Sequence, residues 1–426
     1  MKNNAIFEIL DAELVLALGC TEPSAVAYAT SLACEQVASC FIDQIEVSAS
    51  INIIKNVAAV TIPGTDGCGM DLAAALGAVS KRSSKKLEVL SELTAADHDQ
   101  ARKLIRQGRV TVEIADTPYK VYIAATVRTD KGEATVILAG HHTHVARLVV
   151  NGKILVDNFP SEGSNYITRL EQELTPDVIW DFSRNIQISK LEMIKQLIKV
   201  NTRLGQEGLK NPYGLAVGRS IINGIKDGFY VNDLCSYAMA LTAAGSDARM
   251  AGCTLPAYAN SGSGNQGIQS SLPIVAIAQR LNKDEESMIR AVALSCLITI
   301  YIKASFGRLS ALCGATVAAT GSSCGIVYLL GGNLAQVTFT IKNMLGNVTG
   351  MLCDGAKSGC ALKIATCTSA AVQSAFLALQ NITIRATDGI IEEKVENTVD
   401  NLGKLSRLSS TSADRAILDI ILNKNM

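Results

Sequence analysis

Three cysteines in the glycine-rich C-terminal half of the chain have the chemistry and the spacing to hold a cofactor. Cys313, Cys353 and Cys360 each have a glycine next to them or two residues away. Glycine lets the backbone approach a bulky group closely and present N–H groups to it. Three thiolates at irregular spacing suit three corners of an iron–sulfur cluster and leave one iron open for chemistry. The alternative is packing, because a free cysteine usually behaves as a small buried hydrophobic side chain.

Cys20 is a fourth candidate, and its position suits a reactive thiol. In the run Gly19-Cys20-Thr21-Glu22-Pro23 a break precedes a predicted helix, with Thr21 as the N-cap and Pro23 in the first turn. The positive end of a helix dipole lowers a thiol pKa. Cys20 is therefore predicted to be an activated thiolate that serves as a base or as a fourth cluster ligand. A cysteine that only fills the turn fits the same local sequence.

Residues 63–71 form a loop that suits an anion. It has three glycines in six residues, so its backbone N–H groups can converge on a negative charge. We predict that Gly64, Thr65 and Asp66 bind a substrate carboxylate, between the end of a strand and the start of a helix. A plain strand-to-helix turn is the alternative. A Walker loop is excluded because no Gly-Lys-Ser/Thr follows.

Residues 260–267 alternate glycine with polar side chains just ahead of an apolar helix. Ser261, Ser263, Asn265 and Gln266 offer hydroxyl and amide groups near a helix N-terminus. These groups suit the carboxylate of a compact zwitterion such as an amino acid. A flexible linker is also rich in glycine and serine, but linkers seldom lie between apolar helical segments. The loop is therefore predicted to bind a small amino-acid substrate.

The remaining histidines and cysteines are predicted to serve mainly in packing. His142 and His144 share a face of a predicted strand and could ligate a metal, but the chain has only four histidines in all. A complete histidine site is therefore not expected, and a substrate contact by one of them stays open. Six cysteines lie among alanine, serine or aliphatic neighbours and are predicted to be inert: Cys34, Cys40, Cys235, Cys296, Cys324 and Cys367.

Composition limits the classes of partner and compartment. The 426 residues carry 39 basic and 39 acidic side chains, so no net charge marks a nucleic-acid or membrane surface. Apolar runs stay shorter than the roughly 18–20 residues that span a bilayer, and the N-terminal residues lack the pattern of a signal peptide. We expect a cytoplasmic protein without a nucleic-acid or membrane partner, and a homodimer is one assembly that the sequence allows. In a reducing compartment, twelve cysteines favour cluster, metal or catalytic roles over disulfides.

Hydrophobic periodicity predicts an α+β fold, with a large mostly helical C-terminal body and a smaller mixed region that contains an antiparallel sheet. Residues 1–41 are predicted to be helices, with a break at 19–23, that pack on the catalytic body. Residues 42–160 contain several strand-like runs, of which residues 45–51 and 58–62 come first, and a linker follows at 160–164. Residues 161–426 are predicted to be mostly helical and to bind the cluster.

The motifs together resemble those of the iron–sulfur-dependent L-cysteine desulfidases, relatives of the bacterial L-serine dehydratase alpha chain. The resemblance covers essentially the whole chain. It depends on residues 19–23, 63–71 and 261–267, and on the order and the gaps of the three glycine-flanked cysteines. It implies β-elimination on a small L-amino acid, which converts L-cysteine to pyruvate, sulfide and ammonia. L-Serine, with water as the leaving group, is the alternative substrate.

The resemblance also implies a cofactor and its ligands. These are a 4Fe–4S cluster held by Cys313, Cys353 and Cys360, with Cys20 near the reacting centre. Serine dehydratases of this kind can end in a cysteine that caps the open iron, whereas this chain ends at residues 423–426 without one. Cys20, water or substrate is therefore left to fill the fourth position.

Two other classes of protein compete with this interpretation. A pyridoxal-phosphate lyase could use the loop at 261–267 together with Lys303, Lys357 or Lys363. A non-catalytic protein could bind structural zinc through the same thiolates. Structural zinc sites usually have cysteines in short paired spacings, and the sequence has no Cys-x-x-Cys.

Overall fold

The computed structural model describes most of the chain, and the described residues are 3–37, 41–160, 170–307 and 309–424, without the side chains of 410 and 411. The architecture is α+β, with one six-stranded sheet and a larger body made mainly of helices. This confirms the predicted fold class. The division into residues 1–41, 42–160 and 161–426 stays a prediction. Cys40, most of the expected linker at 160–164 and the last two residues of the chain lie outside the described residues.

Eight strands and fifteen helices of the described residues make up the fold. The strands are β1 (Leu14–Leu18), β2 (Ile42–Ala49), β3 (Val110–Ile114), β4 (Tyr122–Thr129), β5 (Gly132–Ala139), β6 (Val145–Val150), β7 (Lys153–Asp157) and β8 (Pro256–Asn260). The helices are α1 (Asn3–Glu13), α2 (Thr21–Gln36), α3 (Ile51–Val57), α4 (Met70–Ser80), α5 (Ala95–Arg106), α6 (Pro176–Asn185), α7 (Glu192–Lys210), α8 (Val217–Lys226), α9 (Leu234–Met250), α10 (Gly264–Arg280), α11 (Glu285–Phe306), α12 (Gly314–Leu329), α13 (Leu334–Asn347), α14 (Cys360–Leu379) and α15 (Val395–Leu422).

The larger sheet has the strand order β3-β2-β4-β5-β6-β7. Its β2–β3 pair is parallel and its other neighbours are antiparallel. Strands β4 and β5 alternate buried with less buried residues, because successive side chains of a strand point to opposite faces. The apolar face packs with α2, α3, α4 and α5 in one hydrophobic core. Helix α2 lies deep in this core because α4 can approach it closely: a Cβ on Gly77 would lie 2.2 Å from the carbonyl oxygen of Ala27.

A second and larger core holds the helical body together. It joins α1 to α6, α7 and α9–α15. Helix α11 runs through this core with almost every residue from Ala291 to Lys303 buried. Both α11 and α14 have the length and apolar composition of a membrane span, but 83 % and 56 % of their most apolar windows are buried inside the fold. Length and composition alone are weak support for a span, and such burial is what a core helix shows.

Strand β1 corrects the prediction that the N-terminal region is helical apart from one break. Residues 14–18 pair with β8 in an antiparallel ladder, from Leu14 opposite Asn260 to Leu18 opposite Pro256. The four-residue recurrence of leucine misled the prediction, because a spacing of four also places residues on one face of a strand. The ladder brings the chain just before Cys20 beside the start of β8, and the start of β1 beside the loop that follows β8.

The prediction of strands at residues 45–51 and 58–62 is also partly wrong. Strand β2 ends at Ala49, residues 51–57 form α3, and residues 58–62 are in no strand. Within α3, Ile53 and Val57 are both buried at the spacing of one helical turn. The loop at 63–71 therefore opens a helix, as predicted, but does not end a strand.

Candidate active site

One cavity collects the three glycine-flanked thiols and part of the predicted amino-acid loop. Cys313, Cys353 and Cys360 all line it, and Cys20 lines it as well. Three residues of the predicted amino-acid loop at 260–267 also line the cavity: Ser263, Asn265 and Gln266. The cavity has a volume of about 100 Å³. The structure thus brings together residues that are spread over 341 positions of the sequence, from 20 to 360, counting both ends.

Four helices begin at this cavity. Cys20 is the residue before α2, Cys313 the residue before α12, Ser263 the residue before α10, and Cys360 the first residue of α14. The N-terminus of a helix carries partial positive charge and unpaired N–H groups. The cavity is therefore suited to negative groups, both thiolates and the carboxylate of a substrate.

A short antiparallel bridge fixes two of the thiols. Leu312 and Leu352 face each other in it. The backbone N–H of Cys313 donates to Met351 over 2.8 Å, and that of Cys353 donates to Ala311 over 2.7 Å. The two cysteines are thereby held on adjacent strands of backbone, although 40 residues separate them, from 313 to 353.

The environment of these thiols fits a polynuclear cation. Burial, followed by the charge that Cys353 would carry as a thiolate, raises the pKa of Cys313 to about 12. A bound cation would be needed to hold such thiols ionised. In the described parts of the chain, no three cysteine, histidine or acidic side chains lie close enough to hold a single metal ion. Three thiols around one cavity suit a cluster whose irons are ligated separately.

Cys20 belongs to a buried hydrogen-bond network centred on Glu22. The Cys20 thiol donates to Oε2 of Glu22 over 3.0 Å, and the Thr21 hydroxyl donates to the same oxygen over 2.8 Å. The Asn56 amide donates to Oε1 over 2.8 Å, and Nε2 of His142 lies 3.9 Å from Oε1. Burial alone would raise the pKa of Glu22, but the charge of His142 and these hydrogen bonds together lower it. Glu22 is thus held as a carboxylate directly behind the Cys20 thiol.

The predicted activation of Cys20 by the helix dipole is wrong for the resting thiol. Burial, and next the negative charge of Glu22, raise the pKa of Cys20 well above its usual value, although Arg249 acts in the opposite direction. Burial removes the water that would stabilise a thiolate, and this effect is larger than that of a helix terminus. Cys20 is therefore a thiol at rest, and its proton points at Glu22.

The loop at Gly64, Thr65 and Asp66 does not line the cavity. The Gly64 N–H donates to the carbonyl of Gly252, and the Thr65 hydroxyl donates back into its own loop. Asp66 is 86 % exposed and pairs with Arg102 over 2.8 Å. The assignment of these three residues to the substrate has no support in this geometry.

This loop instead supports the turn before Cys20. Pro63 packs against Gly19, where a Cβ would lie 2.3 Å from the proline Cγ. Gly19 has φ +64°, a conformation that glycine adopts most readily. Glycine at this position therefore allows both the turn and the close approach of the loop.

Ser261 also lies outside the lining of the cavity, and it fastens the loop behind β8. Its side chain is buried and its hydroxyl donates to Asn260 over 2.8 Å, while its backbone N–H donates to Glu13. The neighbouring carbonyl of Gly262 accepts a hydrogen bond from Thr21 over 2.9 Å. This bond ties the amino-acid loop to the start of α2, next to Cys20.

Several residues of the site are absent from the sequence-based prediction. Glu22 lies within the motif around Cys20 but has no predicted role, and His142 is predicted only to pack or to contact the substrate. Arg249 and Lys55 also line the cavity, each on an otherwise largely uncharged helical stretch. An isolated charge in such a segment is the signal that could have identified them, because a buried charge needs a partner or a ligand.

Lys55 joins the C-terminal helix to one of the candidate ligands. Its ammonium group lies 2.5 Å from Oδ1 of Asp414 on α15 and donates to the backbone carbonyl of Cys353 over 3.1 Å. Asn52 donates to the other oxygen of Asp414 over 2.8 Å. The side chains of Lys55 and Asp414 are 1 % and 6 % exposed, so their pairing is nearly removed from water.

Replacement of Asp414 by alanine is expected to lower the free energy of unfolding by about 3–5 kcal/mol, because it leaves the Lys55 charge buried without its partner. Chemical denaturation measures this loss. Asp66→Ala is the matched control, because it breaks an exposed pair and should cost no more than about 1 kcal/mol. Equal losses in the two variants would contradict the assignment of Lys55–Asp414 as a buried pair.

Fold and cavity together define an α+β protein with a buried, thiol-lined pocket of the kind that holds a cofactor and a small polar substrate. Residues 84–419 match the model of the serine dehydratase alpha chain. The chain therefore belongs to the serine dehydratase alpha chain family, which makes it a lyase of the serine dehydratase type. This family generally depends on an iron–sulfur cluster.

Other relatives are similar over nearly the whole chain, including the N-terminal region that carries Cys20. A UPF0597 protein of Oleidesulfovibrio alaskensis is 42 % identical over 417 residues, which are 98 % of this chain and 97 % of the relative. UPF0597 proteins of Clostridium perfringens and Bacteroides fragilis are 41 % and 38 % identical, over 97 % and 98 % of both chains respectively. The predicted likeness to serine dehydratases is confirmed, and the narrower likeness to L-cysteine desulfidases stays a prediction.

Proposed function

We propose that this protein is a 4Fe–4S-dependent lyase that converts L-cysteine to pyruvate, sulfide and ammonia by β-elimination. The observation that carries the proposal is the single cavity lined by Cys313, Cys353, Cys360 and the Cys20 thiol. The amide groups of the loop after β8 line the same cavity. A ligand set, a proton-transfer group and polar groups for a small substrate are therefore within reach of one bound molecule.

Cys313, Cys353 and Cys360 would hold the cluster. When bound, the cluster supplies a Lewis-acidic iron that stabilises the negative charge developing on the leaving group. Residues around the thiols keep the loops in place, since Cys313 and Cys353 are fixed by the Leu312–Leu352 bridge. Cys360 is fixed separately, by its backbone hydrogen bond of 2.9 Å to Lys357.

Proton transfer falls to Cys20 and Glu22. The Cys20 thiol passes its proton along the existing hydrogen bond to Oε2 of Glu22, and the resulting thiolate takes the α-proton of the substrate. Because the pKa of Cys20 is raised and that of Glu22 is lowered, this transfer is uphill and the thiolate forms only transiently. The electron pair of the broken Cα–H bond forms the Cα=Cβ double bond, and the Cβ–S pair leaves with sulfur as sulfide. The aminoacrylate product is protonated at Cβ to its imine, and water hydrolyses the imine to pyruvate and ammonia.

L-Serine is the second candidate substrate, and the family description favours it. The same proton transfer from the α-carbon then expels the hydroxyl group, which leaves as water after it takes a proton. Cys20 as the fourth cluster ligand is the alternative role for that residue. A small amino acid as partner, a homodimer and a cytoplasmic location remain parts of the proposal.

A pyridoxal-phosphate mechanism gains no support from the three lysines named for it. Lys357 and Lys363 both pair with Asp354, over 2.5 Å and 2.6 Å. Lys303 lies 4.5 Å from the centre of the Phe306 ring. Each of these three amines therefore already has an interaction, which it would have to give up to form an aldimine with pyridoxal phosphate.

Anaerobic reconstitution with iron and sulfide tests the proposed function. After removal of unbound sulfide, the protein should release sulfide and pyruvate in equal amounts from L-cysteine. Pyruvate from L-serine at a higher kcat/KM than from L-cysteine would assign the chain to the serine substrate. A reconstituted cluster with no turnover of either amino acid would sink the proposal.

A further inference from the structure

Arg249 is a buried cation on the wall of the cavity. It is 3 % exposed, and its Nε has no hydrogen-bond partner among the described residues. Its Nη1 lies 4.0 Å from the Met250 sulfur. A guanidinium removed from water is costly unless an anion pairs with it. An anionic ligand in the cavity would supply the missing partner.

Unlike Arg249, the other cationic side chains that line the cavity each have an interaction partner in the protein. Lys55 pairs with Asp414 and Lys363 pairs with Asp354. Lys303 lies over the Phe306 ring. In the part of the chain that the structure describes, no carboxylate forms such an ion pair with Arg249.

Two glycines make room for the groups that face this space. A Cβ on Gly264, the first residue of α10, would lie 2.3 Å from Nε of Arg249. A Cβ on Gly314, the first residue of α12, would lie 2.9 Å from the amide carbon of Gln266. Both contacts are shorter than a side chain tolerates, so glycine allows the guanidinium and the amide to reach the helix N-termini.

Two amide oxygens in the same cavity need hydrogen-bond donors. Oδ1 of Asn265 and Oε1 of Gln266 are buried atoms with no partner among the described residues. Gln266 is 3 % exposed, so water in bulk does not supply the missing donor. An ammonium group has three donors and no acceptor. It can therefore donate a hydrogen bond to each of these two oxygens.

We propose that Arg249 binds the α-carboxylate of the substrate, while the amide oxygens of Asn265 and Gln266 bind its α-ammonium group. This specifies the substrate of the proposed function, on which it rests, as a free α-amino acid that carries both charges. It also reverses the role predicted for the two amides, which the sequence alone assigned to the carboxylate. The guanidinium matches a carboxylate in shape and charge, whereas an amide oxygen can only accept.

The test measures the binding of unreactive ligands to the anaerobically reconstituted protein by calorimetry. L-Alanine has both charged groups and no leaving group, L-alaninamide lacks the carboxylate, and propionate lacks the ammonium group. We expect L-alanine to bind at least about 30-fold more tightly than either of the others, since each lost charge-assisted bond removes roughly that factor. Equal binding of all three ligands, or no binding of L-alanine, would overturn the proposal.

Arg249→Gln should weaken the binding of L-alanine by about 100-fold and leave the binding of L-alaninamide unchanged. The reason is that L-alaninamide already lacks the carboxylate with which Arg249 would pair. Gln266→Met should instead weaken L-alanine without affecting propionate. Arg102→Gln, on the exposed pair with Asp66, is the control and should change none of the three. If Arg249→Gln does not fold, Gly264→Ala tests the same contact, because it displaces the guanidinium without removing its charge.

The possible outcomes distinguish the proposed amino-acid site from the proposed elimination reaction. Loss of the cluster in Arg249→Gln with unchanged preference for L-alanine would make Arg249 a counter-charge for the cluster and overturn its role toward substrate. Binding of L-alanine that depends on Arg249, without turnover of L-cysteine or L-serine, would reject the proposed reaction and keep the amino-acid site.

Discussion

Cys20→Ala is expected to lower turnover by about 10²–10⁴-fold while the protein keeps its cluster, because the variant loses the group that takes the α-proton. The expected loss is large because the neighbouring carboxylate cannot substitute for the thiol. Oε2 of Glu22 lies 3.0 Å behind the Cys20 sulfur and is already held by Thr21. Asn56 holds the other oxygen. The network therefore fixes Glu22 as a proton acceptor for Cys20 rather than for the substrate.

Two measurements on the reconstituted variant decide the role of Cys20. Pyruvate formation gives the loss of turnover, and iron content gives the occupancy of the cluster. Cys68→Ala is the matched control, because Cys68 is an exposed cysteine that does not line the cavity. A variant Cys20→Ala that loses iron together with activity would make Cys20 the fourth ligand. One that keeps both would show that Cys20 has no part in the reaction.

Cys313→Ala, Cys353→Ala and Cys360→Ala are each expected to lose the cluster and with it all measurable turnover. Each iron at a protein-bound corner needs its own thiolate. Iron and acid-labile sulfide, measured anaerobically after reconstitution, should fall from about four atoms per chain to a small fraction of that.

Cys367→Ala is the control for these three variants. Cys367 lies on α14, the same helix as Cys360, but it is buried in the adjacent hydrophobic core with its sulfur 3.8 Å from Met351. It should therefore keep the iron. Full cluster content in any of the three ligand variants would remove that cysteine from the ligand set. Loss of iron in Cys367→Ala as well would point to general destabilisation of α14.

Local sequence was sufficient where the signal is local. The strand-like runs predicted within residues 42–160 include β4 and β5, and helical spacing predicted most of the C-terminal body, because burial on one face imposes a period. Pro23 and the preceding break located the start of α2 to within one residue, but the N-cap is Cys20 and not Thr21 as predicted. Strand β1 at residues 14–18 shows the limit of this reasoning, since leucines four residues apart satisfy both a helix and a strand.

The site required information that no local segment contains. Strand β1 exists because β8 lies beside it, and Thr21 bonds to Gly262 across 241 residues. Lys55 meets Asp414 across 359 residues. These partners come together only when two separate cores pack, so their meeting cannot be deduced from spacing.

The amino-acid sequence by itself determined which atoms are available for chemistry: three thiols beside glycine, a fourth thiol before a helix, and a polar loop ahead of another helix. Only the tertiary structure decided their states and roles. It buried Cys20 against a carboxylate and so made it a thiol at rest, and it moved Gly64–Asp66 away from the cavity. It also left Arg249 there without a counter-ion among the described residues. The physical reason is that pKa and pairing depend on burial and on neighbours in space, and both are properties of the folded chain.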